Sequence, residues 1–471
     1  MKEKIGKLGY RGIFTMIVIM AMMLLPFGKE YFLMACTLVW MAVQSITVIR
    51  GKESVRKKYH KLDLLILIFL VYEILHMICR MIWADEGKGI DYNRNILLIS
   101  LALLYFLCAE AKFFSLIYLD VIVYAGLIAM GVLLYLYTCD MSVAFLLGGL
   151  TEDTAGLAAF LMLPGMVSVL LYCRCRNDMQ KWFYGASAGI SFFLLLINHN
   201  RVSLWLMVFF FMMVPICIRP TAELIKRDMQ MFLLYALMLC NMSLLCNYTN
   251  LLLVDISYDL EQSVYLELVL AAGALFFFHY WDRMPEGFPL DRIVLRRLYR
   301  KYQFVVCIMF CFFVFMLLGS NGWSSLTGDK GIALLSNFAK PLGEEIAQSR
   351  SFLYVCTEEQ GLLTLAGLLL ILVSVIIRMR KNIGWDKPIT TSLYLIVIFG
   401  IVQCFIWNLC VNVLPVYLIL AVDAMNYKEE KVRFAGIKVR ELKRLEDQLK
   451  QKNEEEGEKD EKKDNQKEKC V

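Results

Sequence analysis

The stretch "INHNRVSLWLMVFFFMMV", residues 197–214, places Asn198, His199, Asn200 and Arg201 in a row between two apolar runs. An arginine at such a boundary is suited to phosphate or pyrophosphate. Its planar fork bonds two oxygens at once and keeps its charge at any physiological pH. An arginine there also serves as an interfacial anchor, its stem in the apolar layer and its head among lipid headgroups. The residues alone leave both roles open.

A second group lies in "YEILHMICRMIW", residues 72–83. Glu73, His76 and Arg80 are spaced i, i+3, i+7, which puts them on one side of a helix. Ionisable groups inside an apolar layer are costly, so they pair with one another or face a cavity. The expectations are a self-compensating network or one wall of a polar cavity, with Glu267 as a further contributor. A third group lies between Ser320 and Ser351, "SNGWSSLTGDKGIALLSNFAKPLGEEIAQSRS". Asp329, Lys330, Glu344, Glu345 and Arg350 share this stretch with Trp323, Leu334, Leu335 and Phe338. A loop of about thirty residues exceeds what a link between two spans requires. "LGEEIAQSR" is expected to form a short helix.

The elements that must position these residues follow from composition. Of 471 residues, 59% are hydrophobic and 20% charged, with a mean hydropathy of +0.59. Apolar runs of about 20 residues, the length that crosses a bilayer, recur along the chain. They are continuous and do not alternate, which excludes an outer-membrane barrel. The expected class is all-α, a polytopic integral membrane protein of about 12–14 transmembrane helices with one long outer loop. The fourteen expected spans are 12–27, 31–49, 62–83, 95–109, 113–137, 154–173, 182–197, 202–218, 229–246, 263–281, 303–319, 352–377, 389–407 and 410–425. The first run has a basic start and no small-residue cleavage site, so it is expected to stay as a helix. The membrane part, 1–425, is followed by a charged segment, 426–471. "VRELKRLEDQLKQ" there suits an amphipathic helix, and the remainder is expected to be disordered.

Lysine and arginine in short loops set orientation. With the N-terminus in the cytoplasm, the cytoplasmic segments before the charged tail hold 27 such residues and the outer segments seven, Lys29, Lys88, Arg94, Arg201, Lys330, Lys340 and Arg350. Both termini are then cytoplasmic, and all three polar groups above face outward. The chain has no Walker A sequence and no dinucleotide-binding glycine pattern. The fifteen cysteines show no zinc spacing and read as small hydrophobes. No metal, cofactor or nucleic acid is expected.

Three segments, in order, resemble the O-antigen ligase and O-antigen polymerase family of bacterial envelope enzymes. "LGGLTEDTAGLAAFLMLPGMVSVLLY", residues 147–172, resembles an outer loop leading through small residues into a long helix. "LLLINHNRVSLWLMVFFFMMV", residues 194–214, resembles that family's arginine segment, with Arg201 in the arginine's place and Asn200 in that of the preceding serine. "SRSFLYVCTEEQGLLTLAGLLLILVSVI", residues 349–376, resembles the end of the large outer loop and its following helix. The ligases carry a histidine just before the aromatic–Leu pair of this segment. Here Arg350 and Ser351 stand there, which favours the polymerase branch.

The resemblance implies glycosyl transfer from a polyprenyl-diphosphate-linked glycan at the outer face of the cell membrane, without a metal. Arg201 and Arg350 are then expected on the pyrophosphate leaving group. Glu344, Glu345 and Glu358 are candidates for the group that takes the acceptor's proton. His199, Asn200, Glu73, His76 and Arg80 are candidates for substrate binding. Membrane lipids and other polysaccharide-assembly proteins are the expected partners. A lipid-linked oligosaccharide flippase or other export protein is the alternative. It requires a polar central cavity and short loops on both sides.

Overall fold

The computed structural model describes residues 9–24, 29–50, 60–82, 92–110, 116–138, 154–175, 177–198, 200–218, 222–249, 272–273, 352–384, 387–406 and 413–427. The expected spans 263–281 and 303–319, the loop 320–351 with Glu344, Glu345 and Arg350, Glu267, His199 and the charged tail beyond Tyr427 lie outside them. The side chains of Arg201 and Glu358 also lie outside the description.

The described residues form thirteen helices and no strand. They are α1 (Gly9–Leu24), α2 (Lys29–Ile49), α3 (Lys61–Ile82), α4 (Asn93–Glu110), α5 (Leu116–Thr138), α6 (Thr154–Arg174), α7 (Asp178–Ile197), α8 (Arg201–Cys217), α9 (Ala222–Thr249), α10 (Phe352–Gln360), α11 (Leu362–Arg380), α12 (Pro388–Ile406) and α13 (Val413–Asn426). Six of these helices are long and apolar enough to cross a membrane, and α1, α4, α8 and α13 contain shorter apolar stretches. The chain is an all-α polytopic membrane protein.

The burial pattern carries the same message. On α3, Leu62, Ile66, Phe69, Leu70 and Glu73 are buried, whereas Leu64, Ile68, Leu75 and Ile82 on the other side are exposed. On α11, Leu362, Leu363, Leu370 and Ile377 are exposed in the same way. Apolar faces of this extent are tolerated where lipid covers them, not water.

At the centre stands α6, packed against α5, α7, α8, α9, α12 and α13. Its residues Leu157 to Val169 are almost completely enclosed. Lipid gives helices no hydrophobic reason to associate, so close packing and hydrogen bonds between them must supply it. The α6–α7 seam uses both. A Cβ added at Gly165 would stand 2.6 Å from Ser191 Oγ, so the absent side chain sets the approach. Ser191 Oγ donates to the Leu161 carbonyl at 2.7 Å, and Ser168 Oγ to Ser187 Oγ at 3.1 Å.

Helix ends meet side-chain partners from neighbouring helices at two places. Arg227 in the second turn of α9 donates to the carbonyls of Tyr172 and Cys173 in the last turn of α6 and of Cys175 just after it, and pairs with Glu223. Those carbonyls have no partner within their own helix. Tyr184 near the start of α7 donates to Asp120 near the start of α5 at 2.6 Å. These ends belong to the face that the lysine and arginine bias assigns to the cytoplasm, called the basic face below.

One expected span differs. Residues 352–377 do not form one helix; the chain breaks at Gly361. There φ is +93° and ψ 173°, a conformation open essentially to glycine alone. The Gly361 amide donates to the Thr357 carbonyl at 2.9 Å and closes α10. The Gly361 carbonyl then accepts from Leu365 at 3.4 Å as α11 begins. The crossing segment is therefore α11 alone, and α10 is a separate nine-residue helix. It packs on α12 and on the start of α4.

Candidate functional site

The break at Gly361 positions the polar cluster. Glu73, on the buried side of α3, is fully enclosed. Its Oε1 accepts from Thr364 Oγ1 on α11 at 2.9 Å, and its Oε2 from Asn95 Nδ2 on α4 at 3.3 Å. Asn95 and Gln360, the last residue of α10, exchange two hydrogen bonds, at 2.7 and 3.0 Å. Arg80 donates to Asn95 Oδ1 at 3.1 Å. One buried amide thus joins α3, α4 and α10, and the Glu73 carboxylate extends the link to α11. A carboxylate without such donors would be costly in this setting.

Next to this cluster, Arg94 donates from Nε to Glu359 at 3.2 Å. The same guanidinium lies over the Phe352 ring, 5.4 Å from its centroid. Two arginines, Arg80 and Arg94, and two carboxylates, Glu73 and Glu359, are therefore gathered where α3 ends, α4 begins and α10 gives way to α11. This is the face opposite the basic one.

Of the three ionisable residues expected on one side of α3, Glu73 and Arg80 meet through Asn95. His76 instead stacks on Tyr72, with ring centroids 5.8 Å apart and planes 4° apart. Its Nδ1 is buried with no hydrogen-bond partner among the described residues. The arrangement around Glu73 is a hydrogen-bonded network and not an open polar wall. Asn200, the other described candidate, is 6% exposed. Its Oδ1 accepts from the Ser203 amide at 2.9 Å and caps α8, so its oxygen is engaged by the helix. Arg201 is the first residue of α8.

A second cluster lies toward the basic face. Tyr105 donates to Asp63 Oδ1 at 2.6 Å and accepts from Arg378 at 3.2 Å. Arg378 stands 3.6 Å from the same carboxylate oxygen and also donates to Asn426 at 3.0 Å. Asp63 Oδ2 accepts from the His60 amide at 2.7 Å, so the same residue caps α3.

Between the two clusters is a cavity of about 150 Å³. It is bounded by α3, α4, α10, α11, α12 and α13, and its lining is aliphatic and aromatic apart from the Cys404 thiol. Two lining residues carry hydroxyls, Tyr105 and Tyr417. Tyr105 uses its hydroxyl in the Asp63 cluster, and Tyr417 donates to Gln403 at 3.2 Å. A Cβ added at Gly400 would stand 2.7 Å from the Tyr417 ring, so this glycine lets the ring lie flat against α12.

Asn95, Gln360, Thr364, Arg94 and Glu359 were not among the expected site residues. Arg94 had been counted only as an outer cation. Among the described residues no three His, Cys, Asp or Glu side chains gather as a metal-binding group. No protein-family model, curated protein or solved structure matches this chain.

Proposed function

We propose that the protein polymerises polyprenyl-diphosphate-linked oligosaccharide repeat units at the outer face of the cell membrane, with both termini in the cytoplasm. In this reaction the anomeric carbon of the donor sugar leaves its phosphate oxygen and joins an acceptor hydroxyl oxygen. Pyrophosphate carries away the bonding pair, and a base takes the hydroxyl proton. The chemistry requires cations beside the leaving group and a carboxylate or other acceptor opposite it.

One observation supports this reading most. The third family-like segment, which supplies α10 and α11, is fixed by Gln360 and Thr364 to Glu73 and Asn95. It thereby brings Arg80, Arg94 and Glu359 to one face of the membrane bundle. Arg201 remains the proposed contact to the pyrophosphate, with Arg350 as a second. Glu344, Glu345 and Glu358 are the proposed proton acceptors, and His199 and Asn200 stand beside Arg201. In this reading Glu73 and Arg80 hold Asn95, which bonds Gln360 at the end of α10, and His76 lies on the same side of α3.

The apolar lining of the cavity weighs against the flippase alternative, because passing a glycan through the bundle requires polar groups inside it. Deleting the gene and separating the surface polysaccharide by size tests the two. Loss of the ladder with single repeat units retained supports the polymerase. Loss of both long chains and single units overturns it in favour of the flippase.

A further inference from the structure

We propose that the cavity between α3, α4, α11, α12 and α13 holds a hydrocarbon chain of an anionic lipid whose head lies beside Arg94. The inference goes beyond glycosyl transfer and stands on the cavity itself.

The lining offers nothing to water. Its two tyrosine hydroxyls are engaged elsewhere, by Asp63 and Gln403. An apolar space of this kind accepts apolar groups; a volume of 150 Å³ holds a group about the size of benzene. That is room for about one branched five-carbon unit or a few methylenes of a chain. The lining positions run from Leu98 to Tyr105 on α4 and from Leu368 to Val375 on α11. Each of these stretches is about 10 Å long. A rod-like occupant along the helix axes fits this shape.

The two ends differ in chemistry. Toward the basic face, Asp63, Tyr105 and Arg378 satisfy one another. At the other end, Phe352 and Leu353 of α10 line the cavity. Phe352 also lies under the Arg94 guanidinium. One ring therefore separates the apolar space from the Arg94 guanidinium, which is 15% exposed and gives its Nε to Glu359, so that an anionic group meets its terminal nitrogens. A molecule with a hydrocarbon chain in the cavity has an anionic group within reach of Arg94. A neutral solute uses only half of the site, and an apolar peptide helix is too wide for it.

Two sources supply such a molecule, a polyprenyl diphosphate or a membrane phospholipid. The test uses the full-length protein in phosphatidylcholine nanodiscs containing phosphatidylglycerol with a diazirine at mid-chain. After photolysis, adducts are mapped by mass spectrometry. Adducts are expected on Leu98, Leu368 and Leu418. Ala102→Phe and Ala421→Phe, which fill the space from α4 and α13, are expected to lower that labelling by about tenfold, a change of about 1.4 kcal/mol in binding. Their elution as monodisperse protein and an unchanged Tm keep the comparison valid. If neither variant folds, the adduct map of the natural chain decides alone.

The inference is overturned if adducts fall evenly on lipid-facing residues such as Leu64 and Leu370, or if both folded variants label as the natural chain does. It is also overturned if neither unlabelled phosphatidylglycerol nor unlabelled polyprenyl diphosphate displaces the label. Displacement by polyprenyl diphosphate ties the cavity to the proposed substrate. Displacement by phosphatidylglycerol alone establishes the chain site as a lipid site apart from that substrate, and the polysaccharide ladder then judges the polymerase reading separately.

Discussion

Glu73 on α3 accepts a hydrogen bond from Thr364 on α11 at 2.9 Å, across 291 residues of chain. Asn95 donates to the other oxygen of the same carboxylate. Removing the acceptor strands two donors in a dry place. Glu73→Leu is therefore expected to lower stability by about 1–2 kcal/mol, the range for hydrogen bonds lost between membrane helices. Glu73→Gln keeps the shape. Its carbonyl can face Asn95, and its amide can donate to Thr364, so most stability should remain. Thermal unfolding of the three proteins in one detergent checks the order. Equal losses in both variants would show that charge, and not hydrogen bonding, is what the site uses.

Gly361 holds α10 apart from α11 in a backbone conformation with φ +93°. A Cβ there meets no neighbouring atom within 4 Å. The obstacle to a side chain is the backbone itself. Gly361→Ala is expected to cost about 1–3 kcal/mol. Gly131, inside α5, also has open space around it and no left-handed backbone. Gly131→Ala is expected to be neutral or stabilising by up to about 1 kcal/mol. Unfolding midpoints of the two alanine variants, measured side by side, separate backbone strain from any general effect of removing glycine.

The ion pair between Arg378 and Asp63 is almost buried, the two side chains being 16% and 2% exposed. Breaking such a pair from one side leaves an uncompensated charge and costs about 3–5 kcal/mol. Arg378→Met is expected to show this loss. Adding Asp63→Asn to Arg378→Met removes the stranded charge and should recover much of it, because the amide oxygen still accepts from Tyr105. Denaturation of the single and double variants gives the coupling. A double variant no more stable than Arg378→Met would show that the stranded charge is not the source of the loss, or that the His60 amide cap lost with the second oxygen outweighs it.

These relationships mark what the sequence disclosed. Hydrophobicity and run length suffice for the fold class, because no soluble fold exposes faces like those of α3 and α11. Glu73 and Arg80 were legible since charge inside a membrane is rare enough to need a reason. Their partners were not. Asn95, Gln360 and Thr364 are neutral residues near helix ends, where amides and hydroxyls commonly meet lipid headgroups. Their pairing spans 265 to 291 residues, a separation over which periodicity says nothing. Arg378 was counted as a cation that sets topology, and the structure gives it Asp63 and Tyr105 as well. Gly361 stands between the polar stretch Thr357–Gln360 and the apolar run that follows, and a glycine at such a place can equally continue a helix or end it.

Asn200 and Arg201 are adjacent, yet the proposed function assigns them different work. Asn200 accepts from the Ser203 amide at 2.9 Å and so begins α8. Serine performs the same capping. Asn200→Ser is expected to match the natural protein, and Asn200→Ala to lose about 1 kcal/mol of stability. Neither change should alter the length of the polysaccharide once the protein is in the membrane. Arg201→Ala is expected to leave stability near normal and abolish the ladder. Arg201→Lys should fail in the same direction, because an ammonium lacks the fork that holds two phosphate oxygens. The readouts are membrane-inserted protein by immunoblot and polysaccharide length by gel. A normal ladder with Arg201→Ala at full membrane level removes Arg201 from the mechanism and leaves it as an anchor at the membrane boundary.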